Sequence, residues 1–462
     1  MVVGGGISGL LAARELARAG VRTTVLEASA AWGGCVGSHV VGGLTLDSGA
    51  ESFATRSTAV ADLAGELGLG GEIVAPNPGG AWVQLPEGPR ELPKTGVLGI
   101  PASPWDPEVR RSLGTLGSLR ASLDALLPAS VGTSGGDTSV SVLVRARMGR
   151  RVLERLVAPV VGGVHSADPA VLDVDMVAPG LRAGIRQHGS LASAVAAQRG
   201  GGQGRKAGSA VAGLRGGMHT LISALLADLH ERGVTLLNST RADAVERTAG
   251  GWRVQSGDNI YDPDLLVVAI EGPAAVDLLS GALPELATRR PAAGPDVSLV
   301  TLVVDLPALD SAPRGTGVLV APQSPGIAAK ALTHATAKWA WLSDRVAPGT
   351  HVLRLSYGRA ERPAAGPGAE PRTDPELFEA ALADASALLG VQVPAGSVLA
   401  RDVVRWSGAL PFASLGHKRR VAEVREICAA DGTLAVVGGW LSGNGLAAIV
   451  ADTPKVLRTL LQ

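Results

Sequence analysis

Residues 1–27 read MVVGGGISGLLAARELARAGVRTTVLE, and this stretch decides the architecture. Gly4, Gly6 and Gly9 carry the G-x-G-x-x-G spacing between a short apolar run and a helical pattern. The first glycine permits a tight turn and the second lets a pyrophosphate approach the backbone. The third lets helix and strand pack closely. Leu10, Leu11, Ala13, Leu16 and Ala17 then recur at helical spacing, which puts the glycines at a helix N-terminus that favours phosphate. Val21 to Leu26 predicts a second strand, and Glu27 closes it. Glu27 stands 18 residues after Gly9, where an acidic side chain accepts hydrogen bonds from a ribose 2′-OH. Glycine spacing alone is a weak signal, because 62 of the 462 residues are Gly. Strand, helix and acidic strand end in register make it a dinucleotide site.

The bulk composition narrows the rest. A chain of 462 residues predicts two or three domains with ample core. Lys+Arg and Asp+Glu both number 42, so no net charge recruits nucleic acid or an anionic membrane. The mean hydropathy of +0.24 is spread along the chain. No run of 18 or more apolar residues appears, so no transmembrane segment is expected. The chain begins directly in the nucleotide strand, which leaves no room for a signal peptide. Met1-Val2-Val3 is short for a central strand, where about 5 residues are usual. Either the start lies upstream or the strand begins at the terminus. Two cysteines, Cys35 and Cys428, fit a reducing cytoplasmic setting rather than a disulfide framework or zinc site. The Ala/Gly/Arg/Val bias fits a GC-rich genome.

Beyond Glu27, the pairs Gly33-Gly34 and Gly42-Gly43 and the run Gly49-Ala50-Glu51-Ser52-Phe53 predict turns that bring backbone close to a ligand. A helix is expected at about Thr58–Leu67. Residues 72–104 read as strands and loops, and 105–158 as helices broken near Pro128–Gly136. Residues 186–217 read as a polar, glycine-rich surface loop. A helix from Met218 leads into strands at Val234–Leu237, Ala242–Glu246, Trp252–Gln255 and Leu265–Ala269, a meander returning to a parallel strand. Strands are expected at 296–305 and 351–357, a proline-rich loop at 359–375, and a helix at 375–390. Thr433–Val437, Gly438-Gly439 and Asn444–Leu461 repeat strand, turn and helix, so both chain ends are expected to build one site.

Glu27, Gly33-Gly34, Gly49-Ala50-Glu51-Ser52 and the C-terminal Gly439-Trp440 to Gly443-Asn444-Gly445 resemble the FAD domain of the glutathione-reductase-like amine oxidase superfamily. Four stretches sharpen this: Gly49–Phe53, Arg155–Pro169 (RLVAPVVGGVHSADP), His188–Leu191, and Arg405-Trp406 through Ala409-Leu410-Pro411 to Gly416-His417. With them the chain resembles, end to end, the oxygen-dependent porphyrinogen oxidases of haem biosynthesis, the proto- and coproporphyrinogen oxidases.

The resemblance implies an α/β fold: a glutathione-reductase-like, Rossmann-type FAD domain (1–75, 213–285 and 425–462), a mixed-sheet substrate domain (76–98, 186–212 and 286–424) and a helical subdomain (99–185). It implies FAD as cofactor. Gly4, Gly5, Gly6, Ile7, Ser8 and Gly9 cradle the pyrophosphate, and Glu27 with Ala28 holds the adenosine ribose. Gly34 and Cys35 lie beside the phosphates. Relatives often have Arg or Lys where Cys35 stands, so one charged contact is missing. Gly49, Ala50, Glu51 and Ser52 line the flavin edge, and Ala242 meets adenine. Trp406 and Gly443, Asn444, Gly445 and Leu446 approach the flavin ring and ribityl chain. Two departures stand out: Phe412-Ala413 where relatives read Gln-Tyr, and His165 where tyrosine is frequent.

The implied reaction removes hydride from a porphyrinogen meso bridge to flavin, three times, with dioxygen taking the electrons as peroxide. It asks the protein to hold a bulky macrocycle in an apolar slot with cations at its rim. No acid/base residue is singled out; Arg56, Arg182 and Arg186 are the candidate rim cations. His165, His188 and His417 lack ligand spacing, so no metal is expected. Coproporphyrinogen III is the favoured substrate, with protoporphyrinogen IX next. An amine-oxidase- or desaturase-like enzyme and a non-catalytic flavoprotein partner of the haem pathway are the other readings. The remaining expected partner is a downstream haem-pathway enzyme. The region 99–185 matches what membrane-associated relatives rest on a bilayer; lacking a dense basic or aromatic face, it points to a soluble enzyme.

Overall fold

The computed structural model describes residues 1–93, 96–198, 211–358, 373–408 and 413–462. A five-stranded parallel sheet runs in the order Thr235–Leu237, Thr24–Leu26, Val2–Val3, Leu266–Val268, Leu434–Val436. Val2 pairs with Val25 on one side and Val267 on the other, which fixes the register at the sheet centre. Both faces are covered, so successive residues bury in opposite cores. Val2, Val25 and Val267 join Leu10, Leu11, Leu225, Ile449 and Leu457. Val3, Leu26 and Val268 join Trp252, Leu279, Val424 and Cys428. A strand buried on both faces reads as a continuous apolar run, as these do. The helices Ile7–Arg18 and Leu446–Leu460 pack against each other, bringing the two chain ends together.

The meander consists of Ala244–Thr248, Gly251–Ser256 and Asn259–Tyr261, all antiparallel. Its third strand, exposed at Asn259 and Ile260, has no apolar alternation to announce it.

A seven-stranded sheet runs Val398–Trp406, Val297–Asp305, Thr350–Tyr357, Ala331–His334, Gly317–Val320, Trp82–Leu85, Gly88–Glu91. All its pairs are antiparallel except Gly317–Val320 with Trp82–Leu85. The helix Asp374–Leu389, opened by a Thr373–Glu376 capping box, covers one face through Leu377, Ala381, Leu388 and Leu389.

A third core is helical. It gathers Val109, Leu113, Leu143, Val144, Met148, Leu156, Val157, Leu181 and Ile185. The segment read as a loop over 186–217 differs from that expectation. Leu191, Ala194 and Val195 recur at helical spacing and bury in this core, making Leu191–Gln198 a helix. Val211–Leu214 is a strand between Phe53–Ala54 and Ile73–Val74. Residues 199–210 between them, residues 359–372 of the proline-rich stretch, and Phe412 lie outside the described residues. Leu116, Leu119, Leu123 and Leu126 stand exposed on the outer side of the helical unit. Among the described residues no helix is long and apolar enough to cross a membrane.

Candidate functional site

The glycine turn has the tight backbone its spacing predicts at Gly4 and Gly9. Gly4 has φ +107°, which favours glycine. A Cβ on Gly9 would lie 1.8 Å from the Gly4 carbonyl oxygen, so helix and strand meet there backbone to backbone. A Cβ on Gly6 would meet nothing within 4 Å. The helix Ile7–Arg18 has no side-chain cap and no acidic residue in its first turn, so its leading amides stay available. The helix Leu446–Leu460 begins the same way after Gly445. Ile7 and Leu446 both line one cavity of about 1320 Å³.

That cavity also reaches Gly6, Ser8, Gly34, Cys35, Gly49, Ala50, Glu51, Ser52, Arg56, Trp406, Asn444 and Gly445. Residues scattered over the whole sequence are thus brought together. The Gly49–Ser52 segment is held from several sides. Ala50 N–H donates to the Cys35 carbonyl at 2.8 Å. The Trp406 indole N–H donates to the Ser48 carbonyl at 2.8 Å. Asp47 accepts from Met218 and His219 N–H at 2.9 and 3.0 Å, which caps the helix His219–Glu231. Cys35 is exposed on the wall of the cavity.

Glu51 is the electrostatic centre of this segment. Its carboxylate pairs with Lys338 Nζ and, at 3.1 Å, with the Arg354 guanidinium, which also donates to the Gly49 carbonyl at 2.8 Å. Burial pushes the Glu51 pKa up, but Arg354 and Lys338 outweigh it and hold the carboxyl at about 2. A folded-state value below the ordinary 4.5 stabilises the fold above pH 4.5, and that contribution is lost as the pH falls towards 2. By linkage it amounts to about 3 kcal/mol. Glu51→Gln is therefore expected to lower unfolding stability by about that much at pH 7. The gap to the unsubstituted chain should close between pH 5 and 2 in urea titrations. A gap independent of pH would refute the assignment.

The other expected site residues fall elsewhere. Gly5 lies under the Trp32 ring, 2.4 Å from where its Cβ would be. Glu27 accepts from Gly5 N–H and Ser29 N–H, each at 2.7 Å, so it closes the turn from below. Ala28 is exposed next to it. Gly443, with φ +103°, shapes the C-terminal turn. Ala242 packs on the core behind the parallel sheet and does not line the cavity.

Two of the three rim arginines are misplaced. Arg182 donates to the Gly135 and Gly136 carbonyls and to Thr138 Oγ1, at 3.1, 2.6 and 2.9 Å, and is buried there. It serves the loop after Pro128. Arg186 is exposed on the helix Leu181–His188 and away from the cavity. Arg56 does line it. Lys330, Arg354 and Trp440 line it too. Arg354 lies on the strand Thr350–Tyr357 and Lys330 just before Ala331–His334, strands whose pairing no local pattern announces, while Trp440 is signalled by the adjacent Gly438-Gly439. Among the described residues no three His, Cys, Asp or Glu side chains gather as a metal site.

The residues present fit a flavin dinucleotide: a cradle open at Gly6, two uncapped helix starts and a long cavity between them. Residues 7–449 match the family of flavin containing amine oxidoreductases. The coproporphyrinogen III oxidase of Propionibacterium freudenreichii subsp. freudenreichii is 30% identical, over 98% of this chain and 88% of that protein. That of Mycobacterium leprae is 30% identical, over 99% and 97%. A crystal structure from Exiguobacterium sp. 255-15 superposes with a TM-score of 0.82 at 27% identity, covering 100% and 98% of the two chains. Reduced UDP-galactopyranose mutase shares the fold, with a TM-score of 0.70 at 14% identity. The cofactor is FAD, and the chain is an FAD-dependent oxidoreductase. It belongs to the flavin containing amine oxidoreductases and, within them, to the family of the coproporphyrinogen III oxidases.

Proposed function

We propose that this chain oxidises coproporphyrinogen III to coproporphyrin III, passing six electrons to three dioxygen molecules as hydrogen peroxide. The full-length likeness to the two actinobacterial coproporphyrinogen III oxidases carries this reading. The cavity, at about 1320 Å³, supports it. A site for one small ligand has roughly 300–1,000 Å³, so cofactor and macrocycle have room together.

Bound FAD supplies the two-electron acceptor. The chain positions and shields the substrate. Leu98, Val160, Val164 and Val177 present an apolar wall that keeps water out. Trp406, fixed through Ser48, offers a flat face beside the Gly49–Ser52 edge. Arg56 is placed to hold a propionate, while the Gly6–Ser8 turn and Asn444–Leu446 hold the cofactor. The division into nucleotide, substrate and helical domains belongs to the same proposal, with residues 186–198 grouped with the helical unit. So does a cytoplasmic site of action, consistent with unpaired Cys35 and Cys428. The product passes to a later enzyme of haem synthesis.

The test is the porphyrin fluorescence gained in air from coproporphyrinogen III and from protoporphyrinogen IX, with peroxide measured alongside. Faster gain from the first supports the proposal. Faster gain from the second moves it to protoporphyrinogen IX, and gain from neither overturns it. Arg56→Ala is expected to raise KM for coproporphyrinogen III about tenfold, or about 1.4 kcal/mol, with kcat little changed.

A further inference from the structure

His165 and Ser166 end the helix Ala158–His165 at the cavity wall. Ser166 has φ 52°, in the left-handed region, and the two side chains reach different units. The Ser166 hydroxyl meets the Lys330 ammonium, which also donates to the Gly358 carbonyl at 2.9 Å. His165 meets the turn before the C-terminal helix. Asn444 Nδ2 lies 3.4 Å from His165 Nδ1 and donates to the Val164 carbonyl at 3.2 Å.

These contacts settle the histidine's tautomer. A carbonyl only accepts, so the Val164 contact assigns the amide end of Asn444 that faces the ring as its NH2 group. His165 Nδ1 therefore carries the lone pair, and in a neutral ring the proton sits on Nε2. Burial pushes the imidazole pKa down to about 4, so the ring is neutral at pH 7. Among the described residues nothing accepts from Nε2.

The tautomer excludes one role and leaves another. A general base would need its lone pair towards the substrate, and here the lone pair faces Asn444. What remains is a neutral N–H donor on the cavity wall. A porphyrinogen presents pyrrole N–H groups, which are themselves donors, and carboxylates, which accept. We propose that His165 is a substrate-orienting residue whose Nε2–H donates to a carboxylate of the porphyrinogen, fixing how the macrocycle is turned. The inference rests on the porphyrinogen reading above.

The test uses the FAD-loaded enzyme with His165→Phe, which keeps the ring and removes both nitrogens, and His165→Gln, which restores a donor. His165→Leu repeats the deletion on a flexible side chain in case the phenylalanine does not pack. Binding of coproporphyrin III is read by fluorescence quenching, turnover of coproporphyrinogen III by porphyrin emission, and the cofactor by its visible flavin band. The deletions should raise both Kd and KM about 10-fold or more, as for a lost hydrogen bond to a charged group. The flavin band and kcat should stay close to those of the unsubstituted enzyme, and His165→Gln should recover most of the affinity. Unchanged Kd and KM in an active enzyme would overturn the inference alone. So would a changed flavin band with unchanged Kd, which would place the donor against the cofactor. An unsubstituted enzyme that neither binds nor oxidises porphyrins would overturn the porphyrinogen reading and this inference with it.

Discussion

Replacing Gly6 by valine is expected to give a folded protein that does not retain FAD. Gly6 has φ −70° and ψ 174°, an extended conformation open to any residue, and its Cβ would meet no protein atom within 4 Å. The fold therefore loses little, on the order of 1 kcal/mol for a poorer helix cap. The added side chain projects where the pyrophosphate is proposed to lie against the first turn of the helix. Affinity for FAD should fall about 100-fold or more, close to 2.8 kcal/mol. Circular dichroism of the apoprotein should match the unsubstituted chain and its urea unfolding should differ by no more than about 1 kcal/mol, while the flavin band is lost on gel filtration. Gly9→Ala is the contrasting control. Its Cβ would strike the Gly4 carbonyl oxygen at 1.8 Å, so it should damage the fold itself. A Gly6→Val protein that keeps its flavin would refute the proposed placement of the cofactor.

Arg147→Met should destabilise the helical unit by about 3–5 kcal/mol, because it strands a buried carboxylate. Arg147 is fully buried and donates to Asp124 at 2.5 Å. It also donates to the carbonyls of Pro128, Val131, Asp124 and Gly189 at 3.0–3.2 Å. The second Asp124 oxygen accepts from Ala192 N–H at 2.8 Å, at the start of the helix Leu191–Gln198. One guanidinium thus ties the loop after Pro128 to two helices. The same core continues through Leu156, Val157 and Val161 to the wall that lines the cavity. Urea midpoints should show the loss. Arg147→Met combined with Asp124→Leu should recover part of it, since the double change leaves no lone buried charge. A midpoint unchanged by the single substitution would refute the ion pair's role.

The local parts of this protein were legible where backbone chemistry speaks in short range. Gly4 and Gly443 need positive φ, and the helix Ile7–Arg18 declares itself by its apolar run, buried at Ile7 to Arg14 and at Leu16. The seven-stranded sheet was less readable. Val398–Trp406 is half-buried with charged Arg401, Asp402 and Arg405, so its apolar alternation is blurred. The helix His417–Asp431 hides its buried residues Val421, Val424 and Cys428 among charges.

For the site, sequence and resemblance together marked the glycine turns, the Gly49–Ser52 segment and Trp406, because each is a contiguous motif. Which arginine faces the cavity lay outside their reach. Arg56 and Arg182 look alike in sequence, and only folding reveals that the Gly135 and Gly136 carbonyls claim Arg182. The same holds for Glu51, whose partners Lys338 and Arg354 lie about 300 positions away in the sequence. By itself the sequence determined that this chain begins with a nucleotide-binding βα turn, because three glycines and the apolar helix after them are short-range facts of sterics and burial. The tertiary structure alone decided which charges are spent within the protein and which line the cavity, because pairing depends on distances that close only when remote strands come together.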